Sequence, residues 1–314
     1  DNFSFDFMKF FDGEWKELSY VKVENAGYIC GGGDAAPNYY STIDKIVFPF
    51  DSGTASNVGN LSQAKNNTGS NNSSTHGYIC GGYDGTNYFS TIDRITFPFK
   101  SCTTSSVGNL SSSNATQAAN NSSTHGFVYC RQSMIDRITF PFDSGTASNV
   151  GALTGTRISV SANNSSTHGF VFGGIILTII YSFIDRITFP FNSGTASNVG
   201  NLSERKINTA ANNSSTYGYI FGGNTTTFSA SLVSNIDRIT FPFDSGTASN
   251  VGNLSGVKRN SASNNSSTYG FVCGGEGYNI TTFTISNIER ITFPFDSGTA
   301  SNVGNLSNSK RQLS

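Results

Sequence analysis

Charge is scarce in this sequence of 314 residues. Only 12% of the residues are charged, the formal net charge is -1, and the sequence pI is near 6.3. A nucleic-acid-binding domain normally carries a clustered excess of Lys and Arg. The composition therefore argues against nucleic acid as a partner.

Long apolar runs, helical periodicity and paired cysteine motifs are also missing. The longest apolar run, around residues 175–180, is far shorter than the roughly 18 to 20 residues that a membrane-spanning helix needs, so we expect no membrane span. The five cysteines are an odd number without any Cys-x-x-Cys pair, which argues against a disulfide framework. The chain begins at Asp1 without a signal-peptide pattern, which predicts a processed or trimmed chain.

Internal repetition is abundant instead. The block Ile-Asp-Arg-Ile-Thr-Phe-Pro-Phe occurs six times with small changes, and each copy is followed by a version of Asp-Ser-Gly-Thr-Ala-Ser-Asn-Val-Gly-Asn-Leu-Ser. The copies, which define repeat units 1 to 6, begin at Ile43, Ile92, Ile135, Ile184, Ile236 and Ile288. Their spacings are 49, 43, 49, 52 and 52 residues. A period of about 50 residues is typical of a kelch-sized β-propeller blade, whereas a solenoid usually has shorter repeats.

Each unit contains four candidate strands. Around the copy at Ile288 we predict strands at 260–265, 270–273, 288–293 and 300–306. Pro294 ends the third strand because proline cannot donate a ladder hydrogen bond. The sequence therefore predicts an all-β fold, a six-bladed kelch-like β-propeller with four antiparallel strands per blade, over residues 20–314. We expect residues 1–19 to pack on it, and residues 20–24 to join the first blade and seat it against the last.

Three motifs resemble a known family. A Gly-Gly doublet, a variable loop and an Ile-Asp-Arg-Ile strand follow one another as in the kelch repeat family, and Glu14-Trp15-Lys16-Glu17-Leu18 resembles the Trp-x-x-Leu pattern of a kelch outer strand. The motifs FPFDSGTASNVGNLS and NNSSTHGY are similar to sequences of kelch-like propeller proteins from marine tailed bacteriophages, which are described as tail-fibre or other virion components. The resemblance covers about residues 20–314. It implies a location on the virion surface, with other virion proteins or a host cell-surface glycan or protein as partners.

Several residue types that could carry chemistry recur once per unit, which favours a structural role. His76, His125 and His168 occupy one repeat position where Tyr217 and Tyr269 stand later, so we predict turn or packing residues rather than metal ligands. Cysteines before Gly-Gly alternate with Phe at that position, which predicts buried packing. We expect no catalytic residue, no metal and no cofactor.

Paired acidic and basic residues also repeat. They are Asp44-Lys45, Asp93-Arg94, Asp136-Arg137, Asp185-Arg186, Asp237-Arg238 and Glu289-Arg290. Paired carboxylates can serve acid–base catalysis. Because these pairs repeat symmetrically, we expect a ladder of ion pairs and hydrogen bonds between blades.

Two segments of each unit vary while the rest stays nearly constant. The first lies between Gly-Gly and the Ile-Asp-Arg block, and the second lies between Asn-Leu-Ser and Asn-Asn. Because antiparallel strands alternate in direction, connections two apart leave from the same face, which predicts one variable face that carries recognition. The expected ligand- or partner-binding residues are Tyr39, Tyr40, Tyr88, Phe89, Arg157, Tyr181, Arg205, Lys206, Phe228, Lys258, Arg259, Tyr278 and Phe283.

Unit 3 departs from the repeat. Cys130-Arg131 replaces Gly-Gly, and only residues 132–134 separate it from Ile135, so we expect a notch in the variable face there. The apolar stretch at 175–180 predicts a protein contact. Flat rings stack on sugars and cations attract acidic groups, which favours a cell-surface glycan as ligand.

The functional hypothesis is a non-enzymatic virion protein that binds a host receptor or a neighbouring virion protein through the variable face. Two alternatives stay open. One is a structural assembly protein whose variable face packs against copies of itself, in a homo-oligomer. The other is a carbohydrate-active or redox enzyme on the same scaffold, since a fold alone does not fix function.

Overall fold

The structure, a computed structural model, describes residues 8–11, 14–17, 25–34, 38–115, 118–227, 231–279 and 281–314. Most of the regular structure within these ranges is β-strand, and a short 3-10 helix lies at Arg131–Ser133. The protein is therefore all-β. Over the same part of the chain, no helix has the length and apolar character needed to cross a membrane.

Six sheets follow one another along the chain, one for each repeat unit, and we number them like the units. Sheets 2 to 6 each contain four antiparallel strands in chain order. Their first strands are Gly69–Asn72, Ala118–Asn121, Ser161–Asn164, Ala210–Asn213 and Ala262–Asn265. The second strands of all six sheets are Ala26–Cys30, His76–Cys80, His125–Tyr129, His168–Phe172, Tyr217–Phe221 and Tyr269–Cys273.

The two remaining strand positions carry the constant blocks of the repeat. The third strands are Thr42–Val47, Thr91–Thr96, Met134–Thr139, Phe183–Thr188, Asn235–Thr240 and Asn287–Thr292. The fourth strands are Ser56–Asn60, Ser105–Asn109, Ser148–Ala152, Ser197–Asn201, Ser249–Asn253 and Ser301–Asn305. In sheet 6 every strand lies within two residues of its predicted bounds, so the predicted four-strand unit is confirmed.

Shorter elements lie outside this pattern. Cys102–Thr103 pairs in parallel with the fourth strand of sheet 1. Two hairpins join Met8–Phe11 to Glu14–Glu17 and Ile175–Ile176 to Ile179–Ile180. A three-stranded sheet contains Lys258–Arg259, Glu276–Asn279 and Thr281–Thr284. The backbones of Cys30 and Ser314 exchange two hydrogen bonds, so Ser314 lies beside the edge of sheet 1.

The apolar core lies between neighbouring sheets. Buried side chains form six main clusters, each shared by two adjacent sheets, and one of these joins Phe271 of sheet 6 to Ile46 of sheet 1. At each junction an aromatic ring of the second strand stacks on the first Phe of a neighbouring Phe-Pro-Phe block, with ring centroids 5.2 to 5.4 Å apart. Offset stacking of this kind stabilises a junction beyond the area it buries.

Polar bonds reinforce the same junctions, as predicted for the acidic-basic dipeptides. The carboxylate of Asp93 accepts hydrogen bonds from the backbone and hydroxyl of Ser62, at 3.2 and 2.7 Å. Arg94 pairs with Asp143 of the next unit. Equivalent arginine bonds to the following unit link Arg137 to Asn192, Arg186 to Asp244, Arg238 to Asp296, and Arg290 to Asp51.

The last of those bonds joins sheet 6 to sheet 1. Asn305, at the end of the fourth strand of sheet 6, also forms a parallel bridge with Thr54, as each fourth strand does with the turn of the next unit. The first and last sheets are therefore in contact. The predicted strand at residues 20–24 lies outside the described residues, so its place beside sheet 1 and the packing of residues 1–19 stay predictions.

Candidate functional site

In five of the six units the variable segment that leads into the sheet lies against the variable loop between the second and third strands. Asn66 forms a bridge with Tyr83, and Lys258–Arg259 pairs with Glu276 and Gly277. The equivalent bridges elsewhere are Ile158 to Ile175, Ile207 to Asn224, and Gly33 to Arg311. The predicted shared position of the two segments is therefore found in five units. We call the surface formed by these segments the variable face.

Three of the predicted binding cations are buried rather than projecting from the variable face. The side chains of Arg157, Lys206 and Lys258 are 0 to 2% exposed and pair with carboxylates of the following sheet. Lys206 Nζ lies 3.1 Å from Asp237 Oδ2, although its alignment is not that of a hydrogen bond. Burial lowers the pKa of Lys206, and the charge of Asp237 opposes this shift. Each of these three cations therefore neutralises a buried carboxylate within the protein.

The cation occupies a fixed position, four residues after a buried Leu of the Asn-Leu-Ser motif. Lys65 pairs with Asp93 at 3.4 Å and Lys310 pairs with Asp44 at 3.0 Å in the same way. At the junction of sheets 2 and 3, Asn114 stands at this position. Asp136, also buried, bonds there to the backbone and hydroxyl of Ser111 at 2.8 and 2.7 Å, without an ion pair to any described residue.

The remaining two predicted cations differ in environment. Arg205 is exposed. Arg259 is partly buried, and its Nε donates to Glu276 at 2.6 Å. Glu276 is almost fully buried and also pairs with Arg311, which the sequence analysis did not select. Arg259 is therefore engaged within the protein, whereas Arg205 faces solvent.

The predicted aromatic residues are spread around the variable face. Tyr88 and Phe283 are 46% and 48% exposed. Five others are partly buried, namely Tyr39, Tyr40, Phe89, Tyr181 and Tyr278, and Phe228 lies outside the described residues. The Tyr40 hydroxyl donates to Asp34 at 2.8 Å.

A notch opens in the variable face at unit 3. The short 3-10 helix Arg131–Ser133 replaces the longer loop of the other units, as the sequence predicted. The resulting cavity has a volume of about 260 Å³ and lies between residues of units 2 and 4. Its lining includes Asn67, Tyr83, Tyr88, Ala115, Tyr129, Cys130, Arg131, Arg157, Ile158, Ser159 and Val160.

The notch combines aromatic rings with arginine side chains. Tyr83 and Tyr88 pack with their centroids 4.8 Å apart, and the guanidinium of Arg131 lies 5.3 Å from the centre of the Tyr88 ring. Tyr39 extends this group, with its ring edge-to-face against Tyr83 at 6.3 Å. Of the predicted residues, Tyr88 and Arg157 are brought together here. Arg131 also lines the notch and was not among the predicted residues, although its replacement of a repeat glycine was a visible signal.

Arg157 has unmatched donors. Its Nη2 bonds to Asp185 Oδ2 at 2.5 Å, but its buried Nε and Nη1 have no hydrogen-bond partner. Unpaired buried donors are uncommon in folded proteins and cost free energy. Burial lowers the pKa of Arg157 from its ordinary value, and Asp185 opposes that change. Arg157, which lines the notch, therefore holds two buried donors without an acceptor.

A second, narrower cavity of about 110 Å³ lies among the first strands of five sheets, with Leu313 and Ser314 also lining it. Its described lining consists of Gly, Ala, Ser, Thr and Leu, without a titratable side chain. No group of three or more His, Cys, Asp or Glu side chains in the described parts of the chain is arranged to hold a metal ion.

The histidines and most cysteines lie apart from the notch. His76, His125 and His168 each contact the hydroxyl of the preceding Thr through Nδ1, at 2.8 to 2.9 Å. Cys30, Cys80 and Cys273 are buried, as their exchange with Phe predicted, and burial raises the pKa of each thiol to about 12. None of the five cysteines forms a disulfide.

Comparison with known proteins adds no relative. A scan against models of known protein families gives no match to this chain, and a search of curated proteins gives none either.

Proposed function

We propose that the chain is a six-bladed, kelch-like β-propeller that serves as a non-enzymatic recognition module. The cyclic order of contacts supports the propeller, since each sheet contacts the next and sheet 6 contacts sheet 1 through the Arg290–Asp51 pair. A stack of sheets that ended openly would leave the edges of sheets 1 and 6 apart. The proposal that the protein belongs to a phage particle depends on the resemblance of the repeat motifs to those of virion proteins.

One observation carries the recognition role. The variable segments pair with each other on one side of the sheets, at five junctions. The invariant sequence is used for packing, ring stacking and inter-sheet ion pairs. A rigid frame that presents sequence-variable loops on one face is a common arrangement for binding. We propose that this face binds a host receptor or a neighbouring virion protein.

A loop graft tests the face assignment. Replacing residues 224–235 of unit 5 with Gln132, Ser133 and Met134 of unit 3 should leave the fold intact, because loop length has a weak effect on closure entropy. Binding of the labelled chain to phage-sensitive host cells should fall. The matched control is Ser297→Lys on an exposed constant turn, which should leave cell binding unchanged. Thermal unfolding of both variants checks that each is folded.

The outcomes separate the alternatives. Loss of binding with Ser297→Lys but not with the graft would assign recognition to the constant face. If neither variant changes binding to cells or to other virion proteins, the recognition role is wrong and a spacer role replaces it.

A second candidate, protein docking, has its own support. The hairpin at Ile175–Ile176 and Ile179–Ile180 exposes Leu177 by 94% and Ile179 by 59%. Exposed apolar groups of this size often mark protein contacts. A Leu177→Ser, Ile179→Ser variant should lower co-assembly with other virion proteins while host-cell binding persists. Unchanged co-assembly would remove this candidate.

A further inference from the structure

The notch at unit 3 combines a cavity with tyrosine rings and arginine side chains. In the other units the two variable segments pair with each other. Here the truncated loop leaves a cavity of about 260 Å³ in place of that pairing. A cavity of this size is near the lower end of the range for ligand sites, roughly 300 Å³, and has room for one sugar-sized ring. The notch is therefore a discrete candidate subsite within the variable face.

The donors around the notch favour a negatively charged group. Arg157 is balanced in charge by Asp185, yet two of its guanidinium nitrogens, both buried, have no acceptor. Arg131, an exposed residue of the notch lining, forms no ion pair with a described acidic residue. Its side chain supplies the net positive charge, and charge-assisted hydrogen bonds to carboxylate are stronger than neutral ones.

The aromatic wall favours a ring over a small inorganic anion. Tyr83 and Tyr88 lie 4.8 Å apart at an interplanar angle of 31°, and Tyr88 is nearly half exposed. Apolar ring faces pack well against the C–H faces of a pyranose. Asn67 and Ser159 place polar side chains beside this wall.

We infer that the notch binds an acidic sugar residue, a pyranose that bears a carboxylate. Its ring packs on Tyr88, and its carboxylate accepts hydrogen bonds from Arg131 at the mouth and from Arg157 at the wall. Because Nε and Nη1 of Arg157 are buried in the structure, the side chain has to shift for these atoms to reach the ligand. This inference rests on the proposed recognition function and names the ligand class for one part of that surface.

Titration of the full chain with glucuronate and with glucose tests the inference. Isothermal calorimetry or ligand-observed NMR should show glucuronate binding at least about tenfold more tightly than glucose, as expected for a charge-assisted hydrogen bond. Acetate alone should bind more weakly than glucuronate because it lacks the ring. Equal binding of acetate and glucuronate, or of glucose and glucuronate, overturns the assignment.

Four variants locate the site. Arg131→Gln and Tyr88→Ala should each weaken glucuronate binding about tenfold. Arg157→Lys should also weaken glucuronate binding. This variant should preserve the junction between the sheets, because lysine at this position pairs with the buried carboxylate in four other units. Arg205→Gln is the matched control, because Arg205 is an exposed arginine of the same face outside the notch.

A loss with Arg205→Gln as large as with Arg131→Gln means unspecific attraction and overturns the inference. No glucuronate binding by the natural sequence overturns it as well. In both cases the recognition function is tested separately by the loop graft. If the graft lowers binding to cells, the recognition function is supported even though the acidic-sugar site is wrong, so the two failures can be told apart.

Discussion

The junction between sheets 4 and 5 and the junction between sheets 2 and 3 follow one plan but differ in a buried charge. In the first, Lys206 neutralises Asp237; in the second, Asn114 stands at the lysine position and Asp136 has only Ser111 and nearby neutral groups. The notch lies beside this second junction. Unit 3 therefore lacks both the Gly-Gly turn and the buried cation, whereas the ring stack of Tyr78 on Phe140 at this junction and the four-stranded sheet are present.

Removing the carboxylate should affect the two junctions unequally. Asp237→Asn leaves Lys206 buried without a counter-charge, and we expect a loss of about 3 to 5 kcal/mol in the free energy of unfolding. Asp136→Asn leaves no buried cation without a partner. It should lower the free energy of unfolding by about 1 kcal/mol, the net value of a hydrogen bond. Urea unfolding monitored by fluorescence measures both variants. Equal losses would show that the lysine contributes nothing to the difference.

The Gly-Gly turn should be the next largest difference. Gly173 has a φ of +61°, and an added Cβ would lie 2.2 Å from the carbonyl oxygen of Lys206. Gly173→Ala should therefore cost about 3 kcal/mol, since strain at a positive φ alone costs of order 1 to 3. Cys130 stands at this position in unit 3 with a φ of -90°, so Cys130→Ala should cost only about 1 kcal/mol. A similar loss in both variants by urea unfolding contradicts the argument.

Supplying the missing cation should move the second junction toward the first. Asn114→Lys places an ammonium beside the buried carboxylate of Asp136, and we expect the free energy of unfolding to rise by about 1 kcal/mol, the net value of a hydrogen bond. The gain should vanish in the double variant Asn114→Lys, Asp136→Asn, because a double-mutant cycle isolates the pair. A gain that persists in the double variant would have another source than the ion pair.

The smallest expected effect concerns pH. Sheet 3 carries His125 where sheet 5 carries Tyr217, whose ring lies 4.6 Å from the guanidinium carbon of Arg238. Burial, and then the charge of Arg137, lower the pKa of His125. The unfolded chain therefore takes up the proton first, and stability is lost as the pH falls from about 6.5 through the lower folded pKa.

His125→Tyr removes that acid loss and adds a cation–π contact worth about 0.5 kcal/mol. The gain in the free energy of unfolding should be larger at pH 5 than at pH 8. Tyr217→Phe in sheet 5 is the control without a titratable imidazole and should show the same small effect at both pH values. A His125→Tyr gain that does not depend on pH contradicts the assignment of the acid loss to this imidazole.

Much of the fold was predictable from the repeated blocks. Each copy repeats the same local pattern of residues. This repetition made visible the four strands per unit, the Pro near the end of each third strand and the acidic-basic dipeptides that link the units. The notch was also predictable, since Cys130-Arg131 breaks the repeat and only three residues follow before Ile135. The surroundings of the candidate binding residues were less predictable. Lys206 and Lys258 looked like surface cations in a variable segment, and only packing revealed them as buried partners of Asp237 and Glu289.

The repeat period, the order of the strands and the turns can be read from the order of residues, because they depend on local chemistry: Gly at positive φ, Pro at strand ends, and alternating apolar residues. Which charges meet and which donors stay unmatched depends on the packing of one sheet against the next. Arg157 belongs to the segment before sheet 4, yet its role depends on Asp185, 28 residues later, and on the gap left by unit 3. Such roles depend on distances across junctions, and the order of residues along a chain does not encode those distances directly.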